Sequence, residues 1–253
     1  MKQGVFKYFF ILGFIILLIV TYIVFYSKNP DDNKVEDKVS KTTNLITNLR
    51  LGIAELDTLN PILTNNRNVK EISKLIFDSL VTVKNNYELE FVLATSIAKE
   101  NDFTYIIYLR KGVKWQDGTD FSSQDVKFTI DTIKNNECSY SSNLSAIEEL
   151  KIIDESTIKI ILSQEVDFFE YYLTMPILCS NYYNNEDLFN TEKNNSPIGT
   201  GIFKFYSYEN GLLKLVSNDN YWNLEKKTLL NQIEINIYDS IGNMYSAFKQ
   251  RIY

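Results

Sequence analysis

LRKGVKWQDGTDFSSQDVKFTI, residues 109–130, decides how this chain folds. Val113 and Trp115 read as the end of an extended segment. Asp117-Gly118 is a tight-turn dipeptide, because glycine reaches positive φ without a steric penalty. FSSQDV then opens a helix. Ser122 is the N-cap, Asp125 three residues on completes a capping box, and Phe121 and Val126 stand at hydrophobic-staple positions. Val126, Ile130 and Ile133 fall on one helical face. The stretch therefore reads as strand, turn and capped helix, which is architecture rather than chemistry.

The neighbouring segments agree with that reading. FTYIIYLRK, residues 103–111, is a strand with Phe103, Tyr105, Ile107 and Leu109 on one face. ELKIIDESTIKIIL, residues 149–162, is a hairpin about an Asp-Glu-Ser turn. Upstream, LRLGIA (49–54) alternates as a strand and ELDTLNP (55–61) is a loop in which Pro61 holds Asn60 extended. Val69, Ile72, Leu75, Ile76 and Leu80 then mark one helical face. VDFFEYYLTM (166–175) predicts a short aromatic helix. Residues 196–222 give a Gly-Thr-Gly loop, a strand, an Asn210-Gly211 turn and a second strand, and IEINIY (233–238) alternates again. Strands and helices mix throughout, which sets the class as α/β or α+β.

Composition bounds the function. The chain has 253 residues, 45% of them hydrophobic, enough for a substantial core. Its net charge is −6, and removing the two positive charges of Lys2 and Lys7 leaves −8 on the rest. So acidic a body does not suit a nucleic-acid partner, which needs a basic footprint. There is no histidine, so the usual general base, the usual metal ligand and the Ser-His-Asp route are missing. No cofactor or metal site is expected. Cys138 and Cys179 can form at most one disulfide, and free buried thiols are the equal alternative. An enzyme working through paired carboxylates stays open, but no such pair sits in a recognisable motif.

Tyr8 to Tyr26 runs 19 residues without a charge. As a helix it would reach roughly 28 Å, close to the thickness of a hydrocarbon core. Lys2 and Lys7 precede it, which orients residues 1–7 to the cytoplasm, residues 8–26 across the membrane and the body to the extracytoplasmic face. A cleaved signal is the rival reading, although no small-x-small site follows Tyr26. Residues 27–47 are a polar linker, and 48–253 form the body.

Several blocks of the body resemble the extracellular solute-binding proteins of family 5, which serve ABC importers. The first is carried by Leu109, Arg110, Gly112, Val113, Asp117, Gly118, Phe121, Asp125, Val126 and Phe128. The second is carried by Pro197, Gly199, Thr200, Gly201, Phe203, Asn218, Tyr221 and Trp222. LDTLNP, LIFDSLV and the 151–162 hairpin are similar to the family's pattern in the same order. The resemblance implies a type II periplasmic-binding-protein-like α/β fold, a peptide or other small solute as ligand, and permease and ATPase subunits as partners. It also implies that the first lobe is largely present and that the chain stops, near AFKQ at 247–250, short of a second lobe. A non-functional fragment of such a receptor is the alternative.

In similar proteins the loop after the first strand approaches the cleft, which nominates Glu55, Leu56 and Asp57 as ligand contacts. A solvated loop is the plainer reading of the same residues. Gly199 and Gly201 read as positive-φ turn positions rather than a phosphate cradle. Trp115 and Trp222 read as core or rim packing, with ligand platforms as the alternative.

Overall fold

The computed structural model describes residues 47–250, except 185 and 227. The expected anchor at 8–26 and the linker lie outside the described residues. Among the described residues no helix is long and apolar enough to cross a membrane.

The body is α/β, built on two four-stranded sheets. In the first, the order is β1 (Asn48–Ala54), β10 (Gln232–Tyr238), β9 (Leu212–Ser217) and β8 (Phe203–Glu209). β1 pairs with β10 in parallel, and the other pairs are antiparallel. The second sheet is antiparallel, in the order β4 (Ala94–Asn101), β5 (Thr104–Leu109), β7 (Thr157–Leu162) and β6 (Ile147–Asp154). A separate hairpin joins β2 (Val81–Val83) to β3 (Leu89–Phe91). The helices are α1 (Arg67–Ile76), α2 (Ser123–Asn135), the four-residue α3 (Ser141–Leu144) and α4 (Ile241–Lys249). One contiguous apolar core takes residues from both large sheets, α1 and α2, including Ile76, Ile107, Ile130, Ile158, Leu213 and Ile235.

The stretch 109–130 folds largely as its sequence dictates. Gly118 has φ +91°, and its N–H donates to the Trp115 carbonyl oxygen at 2.9 Å, closing the Asp117-Gly118 turn. Ser122 caps α2: its hydroxyl accepts from Gln124 N at 3.3 Å while its own N–H donates to Asp125 Oδ2 at 2.8 Å. Val126, Ile130 and Ile133 are fully buried. Val113 and Trp115 are buried too, but the segment holding them is a turn with one bridge, Lys114 to Asp120, rather than a strand. Gly112, at φ +76°, breaks the extension after β5.

Four further expectations are corrected. Gly199 and Gly201 do not have positive φ; among the described residues the glycines that do are Gly112, Gly118 and Gly211. Their reason is proximity. A Cβ on Gly199 would stand 1.9 Å from the Ile76 carbonyl oxygen, and one on Gly201 would stand 2.5 Å from that of Leu75. The same approach lets Gly201 N donate to Ile76 O at 2.8 Å and ends α1 there, so Leu80 lies beyond the helix, buried in the core. Phe103 sits outside β5 and is 48% exposed, because the β4–β5 turn occupies Asp102 and Phe103. The aromatic helix is a single 3-10 turn, Phe169–Tyr172. Both cysteines are free thiols, Cys179 buried and Cys138 half-buried.

The two kinds of glycine should separate under mutation. Gly199→Ala forces a methyl into a carbonyl oxygen and should cost about 3 kcal/mol or more. Gly118→Ala meets open space and only left-handed strain, about 1 kcal/mol. Urea unfolding followed by tryptophan fluorescence measures both, and equal losses would show that close approach is not what Gly199 serves.

Candidate functional site

The loop from Glu55 to Asn66 leaves the C-terminal end of β1, where α/β sheets commonly hold ligands. Its entry is fixed by Glu55 N, which donates to Tyr238 O of the neighbouring β10 at 2.8 Å. Asp57 builds the loop. Its Oδ1 accepts from Thr58 N at 2.9 Å and Thr64 Oγ1 at 2.6 Å, and its Oδ2 accepts from Asn65 N at 2.9 Å and Asn66 N at 3.3 Å. Asn66 caps α1 through its Oδ1, and its Nδ2 donates back to Glu55 O at 3.0 Å. Asn60 secures the interior: its Oδ1 accepts from Ile62 N at 3.0 Å, and its Nδ2 donates to Asn194 Oδ1 at 2.8 Å.

The three nominated residues therefore do different work. Asp57 spends its acceptors on its own loop. Leu56 is half-buried and packs against the core. Glu55 is exposed at φ +62°, and its carboxylate has no partner among the described residues. Burial pushes the Asp57 carboxyl up, but the bonds from Thr64, Asn65, Thr58 and Asn66 outweigh it, and the group rests below its ordinary value.

The family-signature residues gather elsewhere, on two aspartates. Asp125 Oδ2 accepts from the Trp115 indole N–H at 3.2 Å, and its Oδ1 accepts from Ser180 N and Ser180 Oγ at 2.8 and 2.7 Å. Asp78 Oδ2 accepts from the Trp222 indole N–H at 2.8 Å and Thr200 Oγ1 at 3.1 Å, and the Tyr221 hydroxyl adds a third bond. Burial pushes the Asp78 carboxyl above its ordinary value despite these donors. Gln116 ties the two motifs together, accepting from Gly199 N at 3.0 Å and donating to Phe203 O at 2.6 Å. The Arg110 guanidinium stacks 4.3 Å from the centroid of the Trp222 ring, and its Nε donates to Val92 O at 2.9 Å. Trp115 is core, and Trp222 is half-buried at the rim of a polar cavity of about 590 Å³ lined by Glu90, Lys111 and Lys226. Phe128 stacks on Tyr183, with ring centroids 6.5 Å apart.

The spacing of residues does not mark Asp78 and Gln116 as organising positions. An aspartate inside the apolar run LIFDSLV was the available signal, since a carboxylate there needs donors. Burial pushes the Cys179 thiol up to about 12, so it is inert at neutral pH. Among the described residues no group of His, Cys, Asp or Glu is placed to hold a metal ion.

The layout is that of a periplasmic binding-protein fold, with an open loop at a sheet's C-terminal edge. A model of the bacterial extracellular solute-binding proteins, family 5 (middle part), matches residues 88–251, and the chain belongs to that family. The glutathione-binding protein GsiB of Shigella flexneri is 28% identical over 169 residues, which is 65% of this chain and 33% of the relative. NikZ of Campylobacter jejuni, solved with Ni(L-His), superposes with a TM-score of 0.73 at 27% identity over 81% of this chain and 42% of that one. The periplasmic binding protein DppA of Helicobacter pylori, solved with peptide STSA, gives a TM-score of 0.68 at 25% identity over 81% of this chain and 46% of that one. The chain thus spans a third of GsiB and less than half of NikZ or DppA.

Asp57 gives a pH-dependent test. Its folded carboxyl titrates below the ordinary value of about 4, so its stabilisation is present above that value and is lost as pH falls through the folded one. Asp57→Asn should cost about 1 kcal/mol at pH 7, modest because the loop is exposed. The gap between variant and parent should narrow as pH falls through that folded value. A gap that stays constant from pH 7 until the protein unfolds in acid would show that the charge contributes nothing.

Proposed function

We propose that this chain is a solute-binding component of an ABC importer. Its body would stand on the extracytoplasmic face of the cell membrane, with the apolar segment Tyr8–Tyr26 as anchor. Short peptides or peptide-like solutes are its ligands, and permease and ATPase subunits are its partners. The observation that supports this best is the agreement in sequence and fold with solute-binding proteins over 81% of the chain. GsiB is named for glutathione binding, and DppA was solved with a peptide. In such receptors a ligand is held by a cleft rather than transformed, and a chain without histidine suits that task.

Within this reading the chain supplies one wall of the cleft. The loop 55–66 is pre-organised by Asp57, Asn60 and Asn66, so little ordering entropy remains to oppose binding. Glu55 offers a free carboxylate beside that rigid loop, which suits the amino group of a peptide.

Thermal unfolding of the full chain with glutathione and with mixed di- and tripeptides tests the reading. A ligand should raise the midpoint in a concentration-dependent way. Glu55→Gln should weaken that ligand about tenfold, the loss of one charge-assisted bond. No response to any peptide would count against the function. A response that Glu55→Gln leaves untouched would count against the placement of the amino group.

A further inference from the structure

Two large aromatic residues stand where the backbone is left-handed. Tyr87 has φ +64° and Phe168 has φ +53°. They are also among the most exposed apolar side chains, at 81% and 72%. Tyr87 closes the β2–β3 turn, donating its N–H to Lys84 O at 2.9 Å, and Phe168 precedes the 3-10 turn Phe169–Tyr172. The two tips meet through Tyr171. Its hydroxyl donates to Tyr87 O at 3.2 Å, and its ring stands edge-on to Phe168 with centroids 6.1 Å apart. Tyr172 and Val83, 37% and 39% exposed, widen the patch.

A left-handed backbone costs an L-residue about 1–2 kcal/mol, which glycine would avoid. Neither side chain recovers that cost by burial. Strain of this kind persists where a site needs it. The electrostatic surroundings indicate what the site takes. Glu88 adjoins Tyr87, Asp167 and Glu170 flank Phe168, and Glu165 lies close by. Among the described residues none of these four carboxylates forms an ion pair. Lys84 sits in the same turn, and Lys99, which feels the charge of Glu165, is already bound to Asp102 at 2.8 Å.

We infer that the Tyr87–Tyr171–Phe168 tip is a docking surface for a cationic polypeptide segment, whose Lys or Arg side chains lie over the exposed rings inside the acidic rim. Aromatic faces attract cations, and the unpaired carboxylates add charge complementarity. The same rim repels an anionic membrane surface. This surface does not include the loop at Glu55, and its existence does not rest on the importer assignment.

The test uses the full chain in zwitterionic-lipid nanodiscs and a fluorescent tetra-arginine peptide, with tetra-glutamine as control, read by anisotropy at low salt. The Tyr87→Gly, Phe168→Gly double variant removes both rings at positions glycine prefers, so its unfolding midpoint should not fall. It should bind tetra-arginine about tenfold more weakly, the loss of two exposed cation–π contacts. Binding that the double variant keeps, equal binding of tetra-glutamine, or no binding by the parent would each overturn the proposal. So would tips already protected by the nanodisc lipid in the peptide-free protein, which would mark a membrane contact instead. A peptide bound at Glu55 would survive the double variant and so be told apart.

Discussion

The fold depends on one close approach, that of the Gly199–Gly201 backbone to the last carbonyls of α1. Gly201 N bonds Ile76 O at 2.8 Å, and no side chain fits at either glycine. This contact stops α1 and delivers the chain into β8. Through Gln116 it also fastens the 109–130 stretch to the same point. Remove it and the first sheet loses its junction with α1 and with the turn before α2. The Gly199–Gly201 segment reads as a loop in the sequence but acts as a bolt between distant parts of the core.

The polar partners around that junction follow one rule: a buried indole N–H must find an acceptor. Asp125 serves Trp115 and Asp78 serves Trp222, each from a different side of the junction. A carboxylate placed there needs several donors, and both have them, from Ser122 and Ser180 in one case and Thr200 and Tyr221 in the other. These networks give the Asp, Thr, Tyr and Trp side chains of the two signature blocks a structural task. Glu55, exposed on the neighbouring loop, keeps a carboxylate without a partner among the described residues.

What was legible in the sequence was local. The capping box of Ser122 and Asp125 spans three residues, so its spacing announces it. The Asp117-Gly118 and Asn210-Gly211 turns are dictated by backbone sterics at the residues themselves. The 151–162 hairpin shows in its alternation. What stayed hidden was set by distant partners. Gly199 looks like any turn glycine until Ile76 is brought against it. Leu80 continues a helical spacing but lies past the point where that contact ends the helix. The path of its loop nominates Asp57 as a ligand contact, while its four bonds to that loop depend on side-chain directions that no spacing encodes. Phe103 fits the period of its strand, yet the turn claims it.

The pairing of β1 with β10 carries a consequence for how the molecule comes into being. Arg50 and Glu234, partners across those strands, are 184 residues apart in the chain. Parallel pairing over such a separation is slow, because a long loop must close before any contact rewards it. β1, the first strand among the described residues, is thus among the last to find its neighbour. Until then the loop at Glu55 has no β10 carbonyl to anchor its entry. The second sheet, whose strands follow one another closely, can form while β1 waits. The order of synthesis and the order of assembly therefore run in opposite directions at this edge of the molecule.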